Sequence, residues 1–505
     1  MRPRTLTGLL CVIAWCGAAL GEDGTPDMER ALDGLRTMPV QYEGRVMPLE
    51  VMCRGALQEL TGLSDPSGYA PKECASHDAV FTYVSIAAEP ERWKEAALFE
   101  IGYRPLRKLF GAEGPGRISF AQAATLKSMT ELRSAMETDP RLMVALQDLL
   151  IHLQEFPAME RHLAIFPTGE GEPWLEPGQL ERFGGSEGKR AAEALRGLVQ
   201  AFRLRDAKQT RSAVEELRGV IREAGGKEQL SEARVRLEYA FSRLSPLTVV
   251  AWAYVAPLVL AIAALASGRR SLRRAALAAL TTVFVLHSLA LAGRSIIAGR
   301  LPLANTYEYA VMTAWATVLL AILFESHFKG GVFVLLGSLL GSASLAAASV
   351  APISRDVAPL MPALRSTWLQ YHVLTVFIGY AAFLLAFGVS GYYLLKGRRG
   401  DETRSDGLLR ANQMLIRIGF LFLTLGIMTG CIWANLSWGR YWGWDPKEVW
   451  ALITWLVYVT YLHMEAAGWK ERWLGPAASC VGFGFVMFTY LGVNYLLSGL
   501  HSYAS

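Results

Sequence analysis

Hydrophobic residues follow two different patterns along this chain. From 246 to 505 they form long runs broken by short polar stretches, whereas from 22 to 245 they are mixed with charge throughout. A membrane-spanning helix needs about 20 mostly apolar residues. Eight runs approach that length: 248–266, 275–293, 307–324, 331–350, 372–395, 414–434, 450–467 and 477–497. In the earlier region, Ala191 to Phe202 and Arg211 to Phe241 place apolar residues at helical spacing among Arg and Glu, as amphipathic helices in water do. Phe81 to Ile86 has the composition of a strand, and Pro167 to Pro177 that of a loop. The pattern predicts an all-α polytopic membrane protein, with about eight transmembrane helices in 246–505 preceded by a mainly helical region, 22–245.

The start of the chain bears on where that first region goes. Arg2 and Arg4 precede an apolar stretch, Leu6 to Leu20, and Ala19-Leu20-Gly21 offers a small-x-small cleavage site. Residues 1–21 therefore have the form of a secretory signal or a retained anchor. Both readings export 22–245 from the cytoplasm. Arg269, Arg270, Arg273 and Arg274 crowd one connection between apolar runs; Lys396, Arg398, Arg399, Arg404 and Arg410 another; Lys470 and Arg472 a third; and Lys329 lies in a fourth. The positive-inside rule makes these four cytoplasmic. Residues 294–306, 351–371, 435–449 and the C-terminal tail then face the outer side. The net charge of +5 is mild and concentrated in these loops, which excludes a nucleic-acid-binding reading. No C-x-x-C occurs, so the chain has no thiol redox motif or covalent haem attachment site of its own. Cys53 and Cys74 could pair in an oxidising compartment; Cys431 and Cys480 lie in apolar runs and suit packing.

One segment stands apart. Trp438-Gly-Arg-Tyr-Trp-Gly-Trp-Asp-Pro-Lys-Glu-Val-Trp450 holds four tryptophans and a tyrosine within thirteen residues, interleaved with Arg440, Asp445, Lys447 and Glu448. It sits between two apolar runs on the predicted outer face. A dense, glycine-punctuated aromatic cluster predicts a flat surface suited to a large planar amphipathic ligand. The alternative is an interfacial aromatic belt, but belts are scattered along a chain.

Histidines narrow the ligand. Of eight, His372 lies where an outer loop enters a helix and His501 just beyond the last run. Both fall at the outer surface, level with the tryptophans, so they could be the two axial ligands of a haem iron or two unrelated interfacial residues. His287 and His463 lie inside apolar runs, where ionisable groups are costly and mark functional sites. At about 1.5 Å per residue, His463 lies roughly 20 Å below Trp450. A second, buried bis-histidine site is one reading; hydrogen bonds to helix carbonyls are the other. His77, His152, His162 and His327 have surface positions. Arg440, Lys447, Arg300 and Arg365 are cations at the level of the cluster, placed to meet haem propionates or lipid headgroups. Asp445 is either a contact to ligand or the cap of the next helix.

The string Trp433-Ala-Asn-Leu-Ser-Trp-Gly-Arg-Tyr-Trp-Gly-Trp-Asp-Pro-Lys-Glu-Val-Trp450 resembles the WWD signature of haem-handling proteins. Three flanking strings narrow it: Gly299-Arg-Leu-Pro-Leu-Ala-Asn-Thr-Tyr-Glu308, Leu364-Arg-Ser-Thr-Trp-Leu-Gln-Tyr-His372 and Gly492-Val-Asn-Tyr-Leu-Leu-Ser-Gly-Leu-His501. Together they resemble the CcsA/ResC membrane subunit of the system II cytochrome c synthetase, over roughly 246–505, with the WWD loop at 433–450. The resemblance implies haem b held at the outer face, ligated by His372 and His501, on a platform of Trp438, Trp442, Trp444, Asp445 and Arg440. It implies a buried site involving His463, with His287 or a separate ResB/CcsB-like subunit completing the pair. Its other implied partners are apocytochrome c, thiol-reducing proteins and the lipid bilayer of a bacterial inner membrane. The implied activity is presentation of haem to the C-x-x-C-H motif of apocytochrome c, whose own thiols add to the vinyl groups. A haem exporter or chaperone that passes haem on unattached would carry the same signature. The region 22–245 matches nothing in the minimal family pattern.

Overall fold

The computed structural model describes residues 25–497 apart from 64, 72–73, 111–115, 125–138, 157–158, 160–162, 170–171, 225–231, 351–354, 356, 358–364, 397–401 and 470. The predicted signal segment and His162 and His501 lie outside the described residues. The chain divides into two compact units, Met1–Tyr239 and Ala240–Ser505.

The first unit is mainly helical, with two small sheets. Strands β1 (Pro39–Tyr42) and β2 (Arg45–Pro48) form an antiparallel hairpin in which Val40 faces Met47. Glu43 and Gly44 join them with φ of 49° and 77°; two consecutive positive φ values are what a tight primed turn requires. Helix α1 (Leu49–Thr61) follows at once and stops at Gly62, which takes the left-handed conformation. Helix α2 (Ala79–Ala88) occupies the segment expected to be a strand. The Asp78 carboxylate accepts from Phe81 N at 2.9 Å and caps the first turn. Almost every α2 side chain is buried, so the continuous apolar run reflects burial on all sides. Continuous burial leaves no periodicity to separate helix from strand.

Helix α3 (Pro140–Glu155) lies outside the predicted amphipathic segments, which α4 (Gly185–Arg203), α5 (Ala207–Ala224) and α6 (Glu232–Leu244) supply. Pro167 to Pro177 is irregular, its base closed by a bridge between Phe166 and Leu175. Cys53 and Cys74, which could have paired, are both buried and both free. Cys74 Sγ instead receives Arg205 Nη2 at 3.8 Å, and Cys53 packs in the apolar core with Leu57 and Val80.

The second unit is a helical membrane bundle: α7 (Pro246–Ala253), α8 (Val255–Ser267), α9 (Arg270–Ala298), α10 (Thr306–Phe328), α11 (Val332–Val350), α12 (Thr367–Lys396), α13 (Glu402–Trp438), α14 (Pro446–Ala466) and α15 (Leu474–Met487), then a π-helical turn, Phe488–Gly492, and α16 (Val493–Leu496). Among the described residues, seven segments are long and apolar enough to cross a membrane; α7 and α8 together make the first. The predicted span at 450–467 is missing from that set. Helix α14 has 21 residues, ample for crossing at about 1.5 Å each, but Trp450, Thr454, Trp455, Tyr458, Thr460 and Tyr461 dilute its hydropathy.

The most extensive helix pairing is α12 with α13, and glycine makes it possible. A Cβ on Gly419 would meet the Phe383 ring at 2.5 Å, one on Gly426 would meet Val376 Cγ2 at 2.5 Å, and one on Gly430 would meet His372 Nδ1 at 2.7 Å. Small residues let membrane helices approach closely. Here they bring the His372 end of α12 against α13.

One buried charge in this unit is fully compensated. Glu308, fully buried, receives Arg294 Nε at 3.0 Å, Arg300 Nη1 at 2.8 Å and the Ala304 amide at 2.8 Å. Arg300, a sequence candidate for propionate binding, is engaged in this way. Arg294 also donates to the Arg355 carbonyl at 2.9 Å, tying the connection after α11 to α9.

Candidate functional site

A pocket with a cavity volume of roughly 100 Å³, open on one side, lies where α12, α13, α14 and the π-helical turn converge. Its lining is mostly apolar and includes His372, Tyr380, Cys431, Trp433, Tyr441, Trp442, Lys447 and Thr489.

His372 is held from two sides. Its Nδ1 lies 2.7 Å from the Gly426 carbonyl, so the ring proton belongs on Nδ1. Its ring stacks on Trp433 at 6.3 Å between centroids with planes 9° apart. A carbonyl on one nitrogen fixes the orientation and tautomer of an imidazole. The absence of a side chain on Gly430 gives the ring its place beside α13.

The aromatic residues form walls and not one plane. Trp433 and Trp438 meet at 4.8 Å and 64°, Trp442 and Trp444 at 5.9 Å and 87°. The backbone explains the folding of this surface. Gly439 (φ 73°) ends α13 and Trp444 (φ 58°) turns the chain again before α14. A tryptophan in the left-handed region is rare and strained. Trp442 lines the pocket, while Trp444 is 70% exposed.

Asp445 is nearly buried and caps α14: its carboxylate accepts from Lys447 N at 3.1 Å. Glu448 completes a capping box by accepting from Asp445 N at 3.2 Å, and it also takes Gly443 N at 2.7 Å. Arg440 is exposed, with its guanidinium folded over Gly443. Lys447 turns inward and donates to Asn494 Oδ1 at 2.9 Å.

The buried-pair candidates stand in contrasting places. His287 on α9 has no exposed surface; its Nδ1 faces the Tyr254 hydroxyl at 3.0 Å, and its buried Nε2 has no partner among the described residues. His463 on α14 is exposed, its Nδ1 2.8 Å from the Val459 carbonyl of its own helix. The main neighbours of α9 are α7, α8, α10 and α11, whereas those of α14 are α13, α15 and the π-helical turn. Thus the structure gathers His372, Trp442 and, through Trp433, Trp438, and it leaves His287 and His463 on different helix groups.

Sequence reasoning did not single out Trp433, Tyr380, Cys431, Gly430 or Thr489 as site residues. Cys431 sat in an apolar run, where it resembled packing, and Trp433 opened the WWD-like string without a role of its own. Thr489 reaches the pocket from the π-helical turn, a feature associated with functional sites that no residue pattern announces. The spacing of Gly419, Gly426 and Gly430 along one helix face was a usable signal.

A family model described as cytochrome C assembly protein matches residues 303–501. A cytochrome c biogenesis protein CcsA from Chlamydomonas reinhardtii is 40% identical over 218 residues, 41% of this chain and 61% of its own. A CcsA from Parasynechococcus marenigrum is 37% identical over 240 residues, 41% of this chain and 78% of its own. Protein NrfI of Wolinella succinogenes is 30% identical over 492 residues, 91% of this chain and 53% of its own. That last similarity extends well outside the membrane helices. The chain therefore spans a little over half the length of NrfI and 61% of the Chlamydomonas protein. A solved structure titled cytochrome c heme lyase CcmF aligns with a TM-score of 0.38 at 17% identity, over 50% of this chain and 51% of its own, too distant to carry an argument. On the strength of the family model and the CcsA relatives, the chain belongs to the CcsA family of cytochrome c biogenesis proteins.

Proposed function

We propose that this chain binds haem in the pocket beside His372 at the outer face of a bacterial inner membrane. There it presents the haem's vinyl groups to the C-x-x-C-H motif of an apocytochrome c. The observation that carries this reading is the His372 arrangement: an imidazole oriented by the Gly426 carbonyl and stacked on Trp433, in the wall of a largely apolar pocket. His372 Nε2 would ligate iron from one side. His501, which the resemblance pairs with it, would supply the other ligand. Trp442 and Tyr441 would cover the porphyrin and exclude water.

Attachment needs no nucleophile from this chain. Each substrate thiol adds S–H across a vinyl C=C, so one C–S bond forms and the hydrogen goes to the neighbouring vinyl carbon. The protein contributes position and iron ligation. Thiol-reducing proteins would keep the substrate cysteines available. His463, with His287 or a ResB/CcsB-like membrane subunit, would serve a second site on the route from the cytoplasmic side. Co-expression with a C-x-x-C-H reporter tests attachment. Haem that stays on the reporter through denaturing electrophoresis supports it. Haem bound to this chain with an unmodified reporter would instead make the protein a haem exporter or chaperone.

A further inference from the structure

Lys447, half-buried, lines the pocket, and among the described residues no carboxylate forms a salt bridge with it. Its hydrogen-bond partner, Asn494 Oδ1, is a neutral amide. The two nearby acids are directed to backbone amides, Asp445 to Lys447 N and Glu448 to Gly443 N and Asp445 N. Two other cations at this level are otherwise disposed: Arg300 is paired with Glu308, and Arg440 is exposed over Gly443. A half-buried ammonium lining a pocket with Tyr441, Trp442 and His372 gains from an anion that arrives with the ligand. We propose that Lys447 receives a carboxylate of the bound porphyrin, so that it sets which edge of the macrocycle enters the pocket. The inference rests on the porphyrin reading above and adds the propionate-holding residue to it.

The test uses the full chain purified in detergent at neutral pH, with zinc protoporphyrin IX and its dimethyl ester as probes and tryptophan quenching as the readout. The native protein should bind the free acid about tenfold more tightly than the ester, as a charge-assisted hydrogen bond implies. Lys447→Met should weaken the free acid by about the same factor and leave the ester unchanged, and Lys447→Arg should restore much of the difference. Asn494→Asp provides a variant that keeps the lysine. By supplying an internal counter-ion, it should also weaken the free acid selectively. Equal binding of both probes by the native protein, or equal weakening of both by Lys447→Met, would overturn the role of Lys447 and leave the porphyrin reading intact. Failure of the native protein to bind either probe would overturn both.

Discussion

Glu308 and Lys447 both lie in the first turn of a helix of the membrane unit, and their charges are handled in opposite ways. Glu308 is enclosed by two guanidinium groups and a backbone amide, with Arg294 extended further to a carbonyl. Every charge in that cluster meets its opposite within the protein. Among the described residues, Lys447 forms its side-chain hydrogen bond to a neutral amide, in the wall of an open pocket. A closed cluster fixes how helices and loops join. An open one carries an electrostatic cost that a ligand can relieve. The comparison separates structure from function more sharply than the presence of charge does, since Arg300 and Lys447 looked alike as sequence candidates.

The strongest way to break the comparison is Glu308→Gln. Removing the carboxylate takes the shared acid from the buried Arg294 and the half-buried Arg300, which should cost about 3–5 kcal/mol and appear as a large fall in thermal stability in detergent. Lys447→Met should cost less than about 1 kcal/mol, because the lysine has no counter-ion to strand. Equal losses would mean that the two clusters are not different in kind.

Gly430→Ala probes the position of His372. The added methyl would sit 2.7 Å from Nδ1, so the ring or α13 must shift, at about 1–3 kcal/mol. Haem retention, measured as the Soret-to-protein absorbance ratio, should fall by more than the stability loss explains. Unchanged retention would show that the stacked arrangement on Trp433 is not needed.

The smallest expected effect is at the cap. Asp445→Ala should destabilise by about 1 kcal/mol, and Asp445→Asn by only a few tenths, because Asn caps nearly as well. Both should leave the positions of the haem absorption bands unchanged. A band shift in Asp445→Asn would assign the carboxylate to the ligand as well as to the helix.

The membrane helices were legible in the sequence because lipid demands long apolar runs. α14 was found by that route even though its aromatic and hydroxyl residues weaken the signal. The first unit was less legible. At α2, burial on every side removed the periodicity that distinguishes helix from strand, and the deciding residue was Asp78, a cap outside the run. For the site, histidine position and tryptophan density pointed to His372 and Trp442. Sequence spacing did not show that Trp433, inside an apolar run, would form the stacking wall. Nor did it show that the tryptophan loop would turn twice, at Gly439 and Trp444, and so replace a plane with walls. Depth alone made His287 and His463 look similar, yet one is sealed against Tyr254 and the other is exposed on its helix.

The most direct measurement of the central claim is the absorption spectrum of the purified full chain, native and His372→Gly. The account predicts a six-coordinate, low-spin haem in the native protein, with bands weakened or lost in the variant, while His77→Gly, altered at an exposed residue of the first unit, leaves them unchanged. A native protein with no Soret band, or a His372→Gly spectrum identical to the native one, would contradict it.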